Sequence, residues 1–525
     1  MFLGLDSSTQ SITAVLIDPK SGQLACQLSV NFGAEFPAYA SPSGFIPGGK
    51  DGEVHANPQM WLEALDLLFA RLSAATDLSK VKMIAGSGQQ HGSVYLDSTF
   101  DARLAALDPA QNLASQLAPA LTRATSPIWM DTSTAAECAE ITAALGGSAE
   151  ICARSGSVAI ERFTGPQIRR FYQSDPTAYE RTRQIHLVSS FIASVLAGKS
   201  VPIDFGDGAG MNLLNLSQLG WDAELLAATA PDLGTKLLPP AAATTIQGQI
   251  SPYFIQKYGF AASCRTALFT GDNPASLVGM GATTPGNVVI SLGTSDTFFA
   301  AMPGPKTDPN GFGHVFGNPA GGFMSLICFR NGSLAREALR DKRGVDWSAF
   351  DREALADTLS AAGENLMLPF FGPEITPRHD FTGPVLQGSA AFESGTEPAL
   401  QVRALLEGQF LNMRLHSQWM GVTTERIRLT GGAAKNDGIA QVVADVFQAP
   451  VERLDVLNSA ALGAALIAAV ADGHDLPALQ EIFCKTAPDS SLQPNASLAT
   501  TYHAALGRFQ TLLNAKLCED SCPKV

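Results

Sequence analysis

The stretch Arg265–Gly281, RTALFTGDNPASLVGMG, decides how this chain is read. Its apolar run, Ala267 to Phe269, has the composition of a buried strand and stops at Thr270-Gly271. A helix-start signal follows: Asn273 as the cap and Pro274 at the first helical position, where a missing N–H removes nothing the helix needs. With Asn273 sufficient as the cap, Asp272 is left without a structural task. A strand-to-helix turn presents backbone N–H donors, so a spare carboxylate there suits a ligand with hydroxyls and phosphates. On this stretch alone an ordinary solvated turn carboxylate explains Asp272 at least as well.

Two hairpins change that balance. Phe2–Asp18, FLGLDSSTQSITAVLID, sets two β-type runs around the polar turn Asp6-Ser7-Ser8-Thr9-Gln10. Hairpins usually turn on Asn-Gly or Asp-Gly; hydroxyls beside a carboxylate instead suit phosphate oxygens and Mg²⁺. Asn287–Met302, NVVISLGTSDTFFAAM, repeats the design with the turn Gly293-Thr294-Ser295-Asp296. One such hairpin opening each half implies a duplicated α/β architecture with the ligand between the halves, against a chance likeness of two hairpins. Thr283-Thr284-Pro285-Gly286 looks like the boundary.

Between these landmarks, Val81–Leu96 reads as strand, glycine-rich turn, strand, with Gln89, Gln90 and His91 framed by Gly88 and Gly92. In Ser126–Ile141 the run Trp129-Met130-Asp131 ends a short strand, and Asp131 reads as a cap. Arg162 precedes a turn at Thr164-Gly165-Pro166 and is either a ligand contact or a surface charge. Arg181–Gly198 reads as a helix whose end, Gly198-Lys199-Ser200, imitates a P-loop; Ala193 stands in place of the first glycine, so that motif is rejected. Asp204 and Asp207 sit in a turn-rich segment, DFGDGAGMNLLNL. Trp347 stands alone in a polar stretch, able to pack on the core or stack on a flat ring. Arg426–Phe447 gives a strand, a Gly431-Gly432 turn running to Asn436, and a helix; such a turn permits close backbone contact with a nucleotide. Pro450–Leu457 reads as a strand, Ser459–Ala471 as a small-residue helix that must pack tightly, and the residues beyond about Asp489 as a polar tail.

At 525 residues the chain is too long for one core, and 46% hydrophobic with 16% charged residues is a well-folded composition. A formal charge of −14 argues against nucleic acid or an anionic membrane as the main partner. No signal peptide precedes Asp6, and the longest apolar block, Ala460–Ala471, is too short to span a bilayer. Eight cysteines without a framework read as reduced thiols of a cytoplasmic protein. For Cys518 and Cys522, in the polar tail, a metal pair and a chance spacing are both open.

Seven segments in fixed order, GLDSSTQS, SGQQHG, WMD, TGDN, SLGTSDT, LTGGAAKN and SAALGAA, resemble the FGGY sugar kinases, within the actin–hexokinase–Hsp70 group of duplicated ATPase domains. The resemblance covers roughly Phe2–Ala471. It is nearest to the xylulose-phosphorylating branch of animal type, on SGQQHGSVYLD, PIWMDTSTAAEC, ERFTGPQI and CFRNGSL. Two departures from many family members, Gln90 before the histidine and Ser133 two positions after Asp131, both fit that branch.

The resemblance implies a fold of two actin/hexokinase-like (ribonuclease H-like) domains around a cleft. A sugar-binding domain would span 1–284, a nucleotide-binding domain 285–488 and a tail 489–525. It implies Asp272 as general base, with sugar contacts at His91, Arg162, Asp272 and Asn273. Phosphate and Mg²⁺ loops would lie at Asp6 to Gln10 (Asp6 for the metal; Ser7, Ser8, Thr9 and Gln10 for phosphate) and at Gly293, Thr294 and Ser295. Adenosine contacts would be Trp347, Gly431, Gly432 and Asn436. The implied reaction uses ATP and Mg²⁺ to phosphorylate the terminal hydroxyl of D-xylulose, in a monomer or homodimer, with Asp272 at a near-normal pKa. Another ketopentose or polyol kinase, or a non-catalytic actin- or chaperone-like nucleotide binder, are the rival readings.

Overall fold

The computed structural model describes residues 1–354, 364–454, 458–487 and 490–521. Two units emerge, and neither is contiguous in sequence. The first comprises Met1–Thr283, His314–Met324 and Val456–Lys485; the second comprises Thr284–Gly313, Ser325–Asp455 and Thr486–Val525. The expected division at residue 284 is therefore crossed by two segments from the later half of the chain.

The first unit is built on a six-stranded sheet ordered Ile246–Gln249, Arg265–Gly271, Met83–Gly88, Phe2–Ser7, Ser11–Asp18, Gln23–Asn31. Phe2–Ser7 and Ser11–Asp18 form the expected antiparallel hairpin. Phe2–Ser7 pairs in parallel with Met83–Gly88, which pairs in parallel with Arg265–Gly271. Ser7, Gly88 and Gly271 share one level of that register, so three strands end together. Ligands bind outside the carboxyl ends of parallel strands because the chain must leave the sheet there.

The second unit repeats this pattern. Asn287–Leu292 and Asp296–Met302 form an antiparallel hairpin, Asn287–Leu292 pairs in parallel with Arg426–Thr430, and that strand pairs in parallel with Val451–Arg453. A hairpin followed by parallel neighbours in both units is the duplicated α/β design the two hairpins implied.

The helix Ser459–Ala471 packs as tightly as its composition requires. An added Cβ at Gly463 would lie 1.8 Å from the Ala275 carbonyl oxygen, and one at Gly4 would lie 2.0 Å from the Ala461 oxygen. Small residues let backbones approach to that distance. The helix beginning at Asp272 is thereby held against it.

Several local expectations are corrected. Arg181–Gly198 is a strand, Gln184–Leu187, followed by the helix Val188–Ala197. The strand predicted over Pro450–Leu457 is confined to Val451–Arg453, and 455–457 lie outside the described residues. The polar tail is the 23-residue helix Ala499–Ser521, whose Tyr502, Phe509 and Leu513 are buried. Its apolar residues fall on one stripe among polar neighbours, a pattern that average polarity hides. Cys518 is exposed and free; Cys522 lies outside the described residues.

Candidate active site

The three strand ends of the first unit converge on carboxylates. Asp6 pairs with Ser87 across the sheet, and the Ser87 hydroxyl donates to Asp6 Oδ1 at 2.7 Å. Burial and the neighbouring charge of Asp272 push Asp6 up to about 7, against that hydrogen bond. Asp272 follows Gly271 directly. Burial pushes it up to about 6, well above the near-normal value expected, while the N–H of Asn273, donating to Oδ1 at 2.8 Å, pulls the other way. Among the described residues neither acid forms an ion pair, and the charge of Asp272 raises the affinity of Asp6 for a proton or a positive ligand.

The cap assignment also changes. The helix runs Asp272–Gly279 with Gly271 at its N-cap, so Asp272 is its first residue and Pro274 its third. Pro274 still falls within the first turn, where its missing N–H has no intrahelical partner to lose. Asn273 turns outward from the helix instead: its Nδ2 donates to Gln90 Oε1 at 2.8 Å and to Asp272 Oδ1 at 3.0 Å. This gives Gln90 a task, and Gly271 provides room for it, since a Cβ there would lie 2.6 Å from Gln90 Cγ. The other family departure, Ser133, donates through N–H and Oγ to Asp131 Oδ1 at 2.9 and 2.6 Å. Asp131 also accepts from Val54 N–H and from Gln167, so it is a buried staple between loops.

His91 adopts a left-handed backbone, φ +71°, a conformation held only when surroundings fix it. The Thr164 hydroxyl donates to its carbonyl at 3.0 Å, and its Nδ1 lies 2.8 Å from the Gly210 carbonyl. A carbonyl only accepts, so Nδ1 carries the proton and Nε2 is left as an acceptor. Burial and the charge of Arg162 bring His91 down to about 3, so it is neutral. Thr164-Gly165-Pro166 is the start of the helix Thr164–Ser174 and not a loop turn; Arg162 stands just before it, half-buried, with its guanidinium over Phe163. Around the Asp6–Gln10 turn, Thr9 Oγ1 accepts from Trp129 Nε1 at 2.9 Å and lies 3.3 Å from Gln89 Oε1. Ser7 is buried with its Oγ unpartnered, Ser8 is half-buried and Gln10 is exposed.

In the second unit a cavity of about 420 Å³ is lined by Trp347, Asn436, Gly432, Ser333, Arg336 and Lys435, among others. Trp347 is 40% exposed, with the Arg340 guanidinium 4.4 Å from its ring centre, so one broad apolar side chain is presented at the cavity. Asn436 Oδ1 caps the helix Asp437–Phe447 through Ile439 N–H at 2.9 Å. Gly431, at φ +94°, passes so close to Leu292 that a Cβ would lie 2.3 Å from its carbonyl oxygen. Gly432, Thr294 and Ser295 are exposed, and Gly293 is half-buried.

Mg²⁺ keeps several waters and takes one or two carboxylates plus phosphate oxygens. Asp6 fits that role: its Oδ1 is held by Ser87, and its acidity is weakened by a second acid that a cation would offset. Among the described residues no group of three or more His, Cys, Asp or Glu could hold a metal unaided. A metal here would be completed by water and a ligand's own oxygens.

Buried polar residues to which sequence reasoning gave no role lie beside the candidates it named. Asp207 is fully buried, with Oδ2 accepting from Ser189 at 2.5 Å, and burial raises it well above the usual carboxylate range. Asp204 caps its own turn through the N–H groups of Gly206 and Asp207. His314 bonds Arg162, and Arg336 pairs with Asp296; both partnerships join residues too far apart in sequence for any local pattern to show.

Models of the FGGY family of carbohydrate kinases match this chain over 111–279 for the N-terminal domain and 288–471 for the C-terminal domain. It is 40% identical to a xylulose kinase of Rattus norvegicus, covering 97% of this chain and 96% of the relative. The chain belongs to the FGGY family of carbohydrate kinases. To xylulose kinase 2 of Arabidopsis thaliana this FGGY kinase is also 40% identical, over 89% of this chain and 87% of that relative. Its fold matches the crystal structure of a xylulose kinase from Rhodospirillum rubrum with a TM-score of 0.81 at 19% identity, covering 98% of each chain. Among the described residues no helix is long and apolar enough to cross a membrane.

Proposed function

We propose that this FGGY kinase transfers the γ-phosphoryl group of ATP to the terminal hydroxyl of D-xylulose, giving D-xylulose 5-phosphate and ADP. The observation that carries the chemistry is Asp272: a carboxylate at a convergence of strand ends, titrating near 6, flanked by hydrogen-bonding groups suited to a polyol. The likeness to xylulose kinases over nearly the whole chain supports the choice of sugar.

In this reading His91 Nε2 accepts a sugar hydroxyl, and Arg162 and Asn273 Nδ2 donate to sugar oxygens. Asp272 accepts the proton of the terminal hydroxyl as that oxygen bonds to the γ-phosphorus and the bond to the β–γ bridging oxygen breaks. The proton is lost late in a metaphosphate-like transition state, so a base titrating near 6 is strong enough at neutral pH. The adenine stacks on Trp347, with Gly431, Gly432 and Asn436 around the nucleoside. The Ser7–Gln10 turn and the Gly293–Ser295 turn hold phosphate oxygens. Mg²⁺, held at Asp6, would neutralise the phosphate charge. The 1–284 and 285–488 assignments of sugar and nucleotide follow the same reading, as does a cytoplasmic location.

The test is ADP release with D-xylulose, ribulose, glycerol and alditols in parallel. D-xylulose should give the highest kcat/KM. Turnover on another sugar or polyol at higher kcat/KM replaces the substrate, and ATP turnover indifferent to every sugar replaces the activity.

A further inference from the structure

Arg162 is the cation of the proposed sugar contacts, and it meets a residue far away in sequence. Its Nη2 lies 3.1 Å from His314 Nε2. Among the described residues no carboxylate forms an ion pair with Arg162, and His314 provides its hydrogen-bond partner. Guanidinium groups only donate, so His314 Nε2 must be the lone-pair nitrogen, and its proton sits on Nδ1, 3.2 Å from Ser157 Oγ.

The surroundings fix His314 on every side. It begins the strand His314–Gly317, within the segment His314–Met324 that belongs to the first unit although its sequence neighbours belong to the second. Val315 N–H donates to the Gly156 carbonyl at 3.0 Å, and a Cβ on Gly317 would lie 2.7 Å from the Phe205 backbone. The Phe163 ring stands between the two histidines, 4.5 Å from His91 and 5.2 Å from His314. Ser157 is held in turn by Asn212, whose Nδ2 donates to its carbonyl at 2.9 Å.

A neutral acceptor does something here that an aspartate could not. A carboxylate would aim Arg162 but cancel its charge and occupy two of its N–H groups. An imidazole nitrogen takes one N–H, leaves the charge intact, and leaves the remaining donors for uncharged hydroxyl oxygens. We propose that His314, braced by Ser157, is a positioning residue that aims the Arg162 guanidinium at the sugar without neutralising it. The inference rests on the reading of Arg162 as a sugar contact.

The experiment is a double-mutant cycle on sugar KM, ATP KM and kcat. His314→Leu, which keeps volume but removes the acceptor, should raise sugar KM about tenfold, the scale of one hydrogen bond to a charged group. kcat should stay within about threefold and ATP KM should not move. His314→Gln, whose amide oxygen can accept the same N–H, should restore sugar KM to within about threefold. In an Arg162→Ala background the His314→Leu change should alter sugar KM less than about twofold, because the group it aims is gone. An unchanged sugar KM in His314→Leu, or a loss of equal size in the Arg162→Ala background, overturns the positioning role. If Arg162→Ala alone leaves sugar KM unchanged, the sugar-contact reading falls first, which is a separate result. Should His314→Leu not fold, Ser157→Ala with and without Arg162→Ala reads the same coupling, with a two- to threefold effect expected only when Arg162 is present.

Discussion

The two hairpin turns share a plan and treat their acidic residue in opposite ways. In the first, Asp6 has a single serine hydroxyl on Oδ1 and faces another acid, and it titrates near 7. In the second, Asp296 is buried and gripped by both arms of Arg336, at 2.9 and 3.0 Å, with Gln409 and Ser333 completing the guanidinium's partners. Burial raises both carboxyl groups, but one is left short of partners beside another acid while the other is paired with a guanidinium inside the fold. A duplicated architecture has placed an acid without an ion pair, among the described residues, in one copy and a buried ion pair in the other.

The largest effect that could break this contrast lies with Asp272, which shares the field of Asp6. Asp272→Asn should lower kcat by on the order of a thousandfold or more, with sugar KM little changed, in a steady-state assay. In the wild-type protein kcat/KM for sugar should fall about tenfold per pH unit below about 6, because only the ionised carboxylate accepts a proton. Near-normal turnover in the variant would leave the first unit's acids without a catalytic purpose.

Stability separates the two hairpins next. Asp296→Ala strands the Arg336 charge inside the second unit and should cost about 3–5 kcal/mol in denaturant unfolding. Asp6→Asn should do the reverse. The folded state raises the Asp6 pKa, so between the unfolded value of 3.8 and about 7 the native protein holds the extra proton. Stability from that group is full below this window and is lost as pH rises through it. At pH 8 Asp6→Asn should therefore raise Tm while activity falls. Equal destabilisation by both variants would erase the distinction between them.

The smallest effect concerns the ring at the cavity of the second unit. Trp347→Ala should raise ATP KM about tenfold, a typical value for loss of one base–aromatic stack, and leave sugar KM unchanged.

Much of the fold was legible because local patterns carried it. Phe2–Asp18 and Asn287–Met302 announce hairpins through apolar runs around hydroxyl-rich turns, and the structure has both. The small residues of Ser459–Ala471 announced close packing, and Gly463 shows it. The tail was misread because the buried residues of Ala499–Ser521 are diluted by polar ones. At the site, motif residues were readable one at a time, but their acidity was not: the field that lifts Asp272 comes from burial, with Asp6 and Asp207 close enough to feel its charge in turn.

By itself, then, the sequence determined the family and the duplicated hairpins and supplied the candidate site residues, since all are written in contiguous residues. Tertiary structure alone decided which unit His314–Met324 and the helix Ser459–Ala471 would join, that Arg162 would meet a neutral histidine, and that Asp296 would meet Arg336. Those outcomes depend on where separate segments are brought together and on how much water is left around them, and neither quantity has a local signature in the chain.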